Sequence, residues 1–301
     1  MPLPQESSRR LDKAVERVMV WILRLGGWAS VLVTFGIVIT LVTESEPFFT
    51  KVPFLRLITD KMWTPLFADP QYGITALLAG TLVTTGVALA VAIPLGTILA
   101  IYLSEFAPRR LRELVKPMLE LLSAVPTVVY GYFALLTLTP LLQKLYPDLP
   151  QFSMLSAGLI MGIMIIPYVT SLGEDSMRSV PMLLREGAYA LGDGKLGVAL
   201  RVVFPGAFSG LAAAYVLAIS RAVGETMIVA IAAGLQPKLT FNPLDSAATV
   251  TAFIVQVSLG DLPHDSIGYQ SIFAAGAVLF LMTLGFNLAG HALRRRFHRA
   301  A

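Results

Sequence analysis

The sequence predicts an all-α polytopic membrane protein with six transmembrane helices. Three observations carry that prediction. Of the 301 residues, 55% are hydrophobic and only 14% are charged, against about 25% charged residues in an ordinary soluble domain. Mean hydropathy is +0.72. Six apolar runs reach the ~20 residues that a helix needs to cross a bilayer, and the basic residues gather at alternate ends of those runs.

The first span is read at Leu25 to Thr43, after a segment 1–24 that carries Arg9, Arg10, Lys13 and Arg17. Basic residues before an apolar run also mark signal peptides. This run is too long for an h-region and no small-residue cleavage site follows, so an uncleaved span is expected. The stretch Glu44 to Gln71 holds four prolines and both charge signs and is expected outside the bilayer. The second span, Tyr72 to Ser104, is long enough to tilt or to break at Pro94. Spans three and four are read at Leu121 to Gln143 and Pro150 to Gly173, and the sixth at Ser266 to Gly290; none contains a charge. The fifth, Gly206 to about Gly234, contains Arg221 and Glu225. Ser246 to Gly260, bounded by Pro243 and Pro263, is too short to cross and reads as a lumenal or re-entrant helix.

Arg109, Arg110, Arg112 and Lys116 follow span two; Arg178, Arg185, Lys195 and Arg201 follow span four; Arg294, Arg295, Arg296 and Arg299 follow span six. With the N-terminal cluster these fall on one side of a six-span chain. The positive-inside rule then places both termini, and the loop after span four, in the cytoplasm.

Several function classes are excluded. The net charge of +4 is small and its cations sit at span ends, which speaks against a nucleic-acid partner. No cysteine is present, which excludes disulfides and thiolate chemistry, and the three histidines lack ligand spacing, so no metal or other cofactor is expected. No nucleophile–base pair stands inside the spans, so an intramembrane enzyme is set aside. Gly194-Lys195 fails as a phosphate-binding loop, because Tyr189 stands at the first glycine and Leu196 follows the lysine.

Between Glu174 and Pro205 the chain turns polar. Leu183, Leu184, Ala188, Leu191, Leu196 and Leu200 are spaced for two short amphipathic helices joined around Gly192-Asp193-Gly194. Gly192 would supply the sharp turn, and Pro205 would open the fifth span as a first-turn proline. Such a pair can lie in a partner's groove or rest on the headgroups. The spacing is Glu186-Gly187-Ala188, three residues, Gly192, nine residues, then Val202-Val203-Phe204-Pro205. It resembles the EAA loop of ABC-importer permeases, where a membrane subunit docks onto a separate ATPase. The chain departs from that pattern at Gly187, Val202 and Phe204, each keeping size or apolarity, and in Asp193, Gly194, Lys195 and Leu196 after the glycine.

In span five, Gly206, Gly210, Ala214, Ala218 and Ala222 recur every fourth residue, a smooth stripe on which another helix can close. Arg221 and Glu225 lie one turn apart on a neighbouring face. A charge at mid-membrane costs about 2.5–3.5 kcal/mol on insertion scales. It therefore lines a polar path or belongs to a self-neutralising structural pair, and both readings stand here. An arginine fork donates paired hydrogen bonds to an oxyanion and stays charged. Pro126, inside span three, would kink its helix as a gate or as ordinary packing; Tyr130 and Tyr132 are interior hydroxyls or members of an aromatic belt. Glu120 reads as an interfacial charge.

The string Ser220 to Met227, with Arg221-Ala222-Val223-Gly224-Glu225-Thr226-Met227, resembles the Arg-Ala-x-Gly-Glu-Thr-Met stretch of phosphate-specific ABC permeases of the C type. Ala124 to Gly131 in span three is similar to a second string of that family. The resemblance implies type I ABC-importer permease architecture, with a permease domain over 73–294, its EAA-like loop at 174–205, and a tail at 295–301. It implies an inner-membrane pore for phosphate, made with an A-type permease subunit, two ATP-binding subunits and a periplasmic phosphate-binding protein, and surrounded by membrane lipids. Arg221, Glu225 and Thr226 would line the substrate path. Glu186, Gly187, Ala188, Gly192 and Pro205 would form the docking loop. Alternatives are another oxyanion, such as molybdate or sulfate, and a stand-alone secondary transporter or channel.

Overall fold

The computed structural model describes residues 5–260, 262–263 and 265–298, with side chains described at 13 and from 15 to 292 within those ranges. The basic cluster at Arg294, Arg295, Arg296 and Arg299 and the N-terminal pair Arg9 and Arg10 lie outside the described side chains. Fourteen α-helices follow in order among the described residues. They are α1 (Gln5–Lys51), α2 (Phe54–Thr59), α3 (Ile74–Ile101), α4 (Arg109–Ala124), α5 (Thr127–Phe133), α6 (Thr139–Gln143) and α7 (Met154–Arg178). Then come α8 (Met182–Ala190), α9 (Lys195–Val198), α10 (Phe204–Gly206), α11 (Phe208–Val223), α12 (Met227–Ala232), α13 (Val250–Ser258) and α14 (Ile267–His298). Three π-helical turns, Tyr102–Phe106, Ala134–Leu138 and Ala199–Val203, continue α3, α5 and α9.

Four helices are long and apolar enough to cross a bilayer alone: Val15–Lys51 of α1, Ile74–Phe106, Met154–Arg178 and Ile267–Ala292. Two bent pairs complete six spans when each is counted once. Arg109–Ala124 meets Thr127–Gln143 at 87°, and Lys195–Gly206 meets Phe208–Val223 at 70°. The sixfold expectation therefore holds with corrected boundaries. The first eight residues of the expected extramembrane stretch 44–71 continue α1 to Lys51. The second span runs through Pro94 without a break. The expected helix at 246–260 is α13, nine residues long.

Helices α3 and α7 form the frame. Gly158 and Gly162 of α7 lie where an added Cβ would stand 2.6 Å from the Val87 side chain and 2.8 Å from the Ala88 carbonyl, and Gly96 of α3 faces Val169 in the same way. Backbones this close exchange large dispersion contact for side-chain volume, the device of membrane helix pairs. Thr170 Oγ1 adds a hydrogen bond to the Gly96 carbonyl at 3.2 Å.

Three apolar cores follow one another along α3. Leu77 joins Phe48, Trp63, Tyr72, Val250 and Phe253 at one end. Ala88 and Ala92 join Tyr130, Met164, Ala218, Ala222 and Ile228 in the middle. Ala100 joins Met177, Val180, Val198, Val203 and Leu211 at the end where the polar loop lies. The small-residue stripe of α11 closes on α7 as its spacing requires: Ala214, Ala218 and Ala222 are buried, and a Cβ on Gly210 would meet Ser176 Oγ at 2.2 Å.

Candidate functional site

The fifth span breaks where its charges are. Helix α11 ends at Val223, Gly224 to Thr226 are not helical, and α12 restarts at Met227. Arg221 and Glu225 were expected on one continuous helix; they flank its end instead, and still meet. The Arg221 Nη1 donates to Glu225 Oε2 at 2.5 Å. The break leaves the first N–H groups of α12 without carbonyl partners. Glu225 Oε1 accepts from two of them, Met227 N at 3.1 Å and Ile228 N at 3.3 Å. A carboxylate at a helix start is favoured by the exposed N–H groups and by the helix dipole. Thr251 Oγ1, on α13, donates to the Glu225 carbonyl at 2.7 Å and fixes the backbone from the other side. Thr226 caps no α12 N–H with its side chain; its hydroxyl donates to the Gly224 carbonyl at 3.3 Å.

The two partners differ in access. The Glu225 side chain is 2% exposed and the Arg221 side chain 31%. One arm of the guanidinium is held by Glu225, while Nη2 faces the Met164 thioether at 3.7 Å, a weak acceptor. The arrangement is a preset cation with an arm that an oxyanion could engage and a carboxylate that competes for it.

Pro126 does not kink a continuous span. It stands at the 87° corner, as the residue before α5. In an unbroken helix the Leu122 carbonyl would accept from the N–H of residue 126, and proline has none. The Tyr130 hydroxyl supplies the donor, at 2.6 Å. Tyr130 is thus an interior hydroxyl, buried in the middle core, whereas Tyr132 is exposed. Helix α5 lies directly on α12: a Cβ on Gly131 would meet the Ile231 side chain at 3.0 Å and the Met227 carbonyl at 3.3 Å. Glu120 is exposed and lines a cavity of about 250 Å³ with Ser123, Tyr168, Ser171 and Leu217.

The polar loop folds as two helical segments, α8 and the run Lys195–Gly206. Gly192 has φ +88°, the left-handed region that costs a side chain about 1–2 kcal/mol. Gly192 N donates to the Tyr189 carbonyl and Asp193 N to the Ala188 carbonyl, at 3.0 and 3.2 Å, a Schellman end that satisfies the last carbonyls of α8. Pro205 does not open the fifth span. It lies in α10, ahead of the 70° corner, and the long helix begins at Phe208. Ala188, Val202, Val203 and Phe204 pack inward against the third core. Glu186 and Gly187 are exposed, as are Leu183 and Leu191, at 78% and 90%.

Two charge clusters at this end were read from the sequence only as topological signals. Glu174, 1% exposed, lies 2.9 Å from Lys116 Nζ, 3.4 Å from Arg178 Nη1 and 3.9 Å from Arg112 Nε. Glu105 lies 3.3 Å from Arg185 Nη1. Glu174 and Arg178 stand four residues apart at the end of an apolar run, a signal that was present in the sequence. No group of residues among those described could hold a metal ion.

Residues 92–300 match the family of binding-protein-dependent transport system inner membrane components. The chain is similar to the probable ABC transporter permease protein YqgH of Bacillus subtilis, 31% identical over 95% of this chain and 92% of that one. It is also similar to the phosphate transport system permease protein PstC of Mesorhizobium japonicum, 32% identical over 82% and 80% of the two chains. Against PstC 1 of Mycobacterium tuberculosis the identity is 33% over 81% and 78%. Its fold is similar to a chain of the bacterial alginate ABC transporter in complex with its periplasmic protein, at TM-score 0.64 and 18% identity over 95% and 98% of the chains. A chain of the MetNI methionine transporter gives TM-score 0.55 at 16% identity, over 75% and 94%. The chain belongs to the family of binding-protein-dependent transport system inner membrane components and is a membrane-embedded permease of the ABC-importer kind.

Proposed function

We propose that this chain is the C-type membrane subunit of an ATP-driven importer of inorganic phosphate. The observation that carries the cargo is the Arg221–Glu225 pair at the broken fifth span, with Arg221 partly open and Glu225 buried. A tetrahedral oxyanion offers the acceptors that an arginine fork pairs with best. Phosphate engages the arm of Arg221 that faces the weakly accepting Met164 thioether and competes with Glu225 for the other. Because Glu225 is also held by two N–H groups of α12, it stays in place and reclaims Arg221 when the anion leaves. That competition keeps affinity low enough for release. Thr226 stands beside the pair at the break. The relatives named as phosphate transport permeases support the same cargo.

The permease domain covers 73–294, with segment 1–24 and tail 295–301 in the cytoplasm. An A-type subunit completes the pore, a periplasmic phosphate-binding protein delivers the anion, and two copies of a separate ATPase hydrolyse ATP. The loop 174–205 is the docking element: Glu186 and Gly187 face outward beside the exposed Leu183 and Leu191, while Ala188 anchors the loop inward and Gly192 sets its turn. Pro205 lies at the end of the second segment, just before the 70° corner that leads into α11. The Pro126–Tyr130 corner gates the path, because α5 rests on α12, the helix that Glu225 caps.

The test is ATP-dependent uptake of labelled phosphate by the reconstituted complex, with sulfate and molybdate in parallel. Native uptake of phosphate is expected, falling about a hundredfold in Arg221→Ala, as for removal of a desolvated charge partner, while the complex still assembles. Transport of sulfate or molybdate alone would overturn the cargo. Phosphate uptake unchanged by Arg221→Ala would reduce the pair to a packing element.

A further inference from the structure

The docking loop is tied to the membrane bundle by one residue that points against the character of its helix. Helix α8 presents Met182, Leu183, Leu184 and Tyr189 outward. Arg185, on the same helix, turns inward and its side chain is only 14% exposed. Its Nη1 lies 3.3 Å from Glu105 Oε1, and its Nη2 donates to the Met177 carbonyl at 2.7 Å. Met177 is in the last turn of α7, where the unpaired carbonyls and the helix dipole favour a cation. Glu105 is in the π-helical turn Tyr102–Phe106 that ends α3; its side chain is 6% exposed and also accepts from Ser104 Oγ at 2.7 Å. One guanidinium therefore joins α8 to the ends of both frame helices.

The second half of the loop grips the same turn. Lys195 Nζ stands 5.2 Å from the centre of the Phe106 ring, within cation–π range. Lys195 is one of the residues at which the chain departs from the EAA-like pattern, and the departure has a structural account. Asp193 Oδ1 accepts from Gly194 N at 3.0 Å and occupies the space that a Cβ on Gly197 would need, 1.9 Å away. The Asp193-Gly194-Lys195 turn is thus closed on itself and directs Lys195 toward α3. From there a hydroxyl contact leads on: Thr97 Oγ1 and Tyr215 OH are 2.8 Å apart and join α3 to α11, the helix that carries Arg221.

We infer that Arg185 and Glu105, with Lys195 over Phe106, are positioning residues that transmit loop movement to α3 and so set how much ATP is used for each anion imported. The inference rests on the docking reading of the loop. A buried ion pair is a poor source of stability compared with apolar side chains of the same volume, but it is stiff, directional and short. Those are the properties of a strut. A π turn is a rare local departure from the α-helix that is frequent at functional sites, and a rearrangement of this turn would carry Glu105 and Phe106 away from both loop contacts together.

The experiment uses the whole complex in vesicles and measures anion uptake and ATP hydrolysis side by side. The anion is whichever of phosphate, sulfate or molybdate the native complex imports. Glu105→Gln and Arg185→Gln are expected to raise the ATP hydrolysed per anion about tenfold, within the range of coupling changes from such sites, with the ATPase still co-purifying. Arg185→Lys, which keeps the charge but not the two-armed reach, should fall between. A native ratio in assembled Glu105→Gln would overturn the inference, as would parallel loss of uptake and hydrolysis. Should Arg185→Gln fail to assemble, Glu105→Gln decides, because it leaves the loop surface untouched. Leu191→Asp tests the underlying reading separately: it should release the ATPase, and an ATPase that stays bound would remove the docking reading and this inference with it.

Discussion

Glu225 and Glu174 are almost equally withdrawn from water, and the chain neutralises them in opposite ways. Glu174 is surrounded by Lys116, Arg112 and Arg178, and Lys116 also reaches Asp175 at 2.7 Å. Cations outnumber the buried carboxylate, they come from two helices, and each is partly open to solvent. Removing any one leaves others to compensate. Among the described residues Glu225 has a single cation, Arg221, and its other carboxylate oxygen accepts from backbone N–H groups. Nothing substitutes for Arg221. The first arrangement fixes α4 against the end of α7; the second leaves one guanidinium available for exchange. Burial alone does not separate a structural charge from a working one. On the proposed reading the number of cationic partners does: three for Glu174 and, among the described residues, one for Glu225.

The largest effect that can sharpen this contrast is Arg221→Lys. The ammonium keeps the charge and loses the fork, so the pair with Glu225 survives while the second donor direction is lost. Uptake should fall about tenfold, the worth of one hydrogen bond to a charged group, with the assembled complex melting close to the native temperature. Full uptake in Arg221→Lys would place the two carboxylates in the same structural class.

Glu174→Gln comes next and should behave in the reverse manner. Breaking a buried pair costs about 3–5 kcal/mol when the stranded charge stays buried. Here the three cations are 20–49% exposed and can turn to water, so about 1 kcal/mol is the expected loss, discounted for screening. A lower melting temperature with uptake per assembled complex unchanged is the predicted result. Uptake lost at native stability would break the comparison, since Glu174 would then share the role assigned to Glu225.

How far the sequence announced these two sites differs for a physical reason. Glu225 was visible because it stands within a long apolar run, where any charge is conspicuous. Glu174 stands four residues from the end of its helix, where charges are ordinary, and its burial depends on α4 folding back at the 87° corner. No local pattern reports a tertiary contact of that kind. The six spans were legible from length and apolarity, but their breaks were not. Pro126 signals a break and makes one. Pro94 signals one and makes none, in a helix packed along α7 through Gly96, Gly158 and Gly162. The break at Gly224 to Thr226 has no proline at all; it is held by Glu225, within the break, and by Thr251 of α13. In the loop, Gly192 was read correctly because φ +88° is a local demand. Pro205 was misplaced because the 70° corner that follows it is set by packing on Val180 and Leu211 in the third core.

The smallest effect comes from a carboxylate that shares neither burial nor helix, Asp245, in the irregular stretch between α12 and α13. Its Oδ2 accepts from Thr240 Oγ1 at 2.7 Å and lies 3.4 Å from Lys238 Nζ; Asn242 Nδ2 reaches Oδ1 at 3.3 Å. The Thr240 hydrogen bond holds its pKa below the ordinary aspartate value; burial opposes it as the second-largest effect, and the charge and hydrogen bond of Lys238 and the Asn242 hydrogen bond add to the lowering. A folded-state pKa below the unfolded one means that the ionised group favours the fold. That contribution is complete above the unfolded value of 3.8 and is lost as pH falls through the lower folded value. Because the side chain is about one-third exposed, the contribution is small, about 0.5 kcal/mol. Asp245→Asn should therefore speed amide hydrogen exchange over residues 238–245 slightly at neutral pH, with uptake unaffected. The difference between native and variant should vanish once the pH is below the folded pKa. A large loss at neutral pH would show that solvent exposure does not cap the worth of a carboxylate here, and would remove the ground for discounting the loss expected of Glu174→Gln.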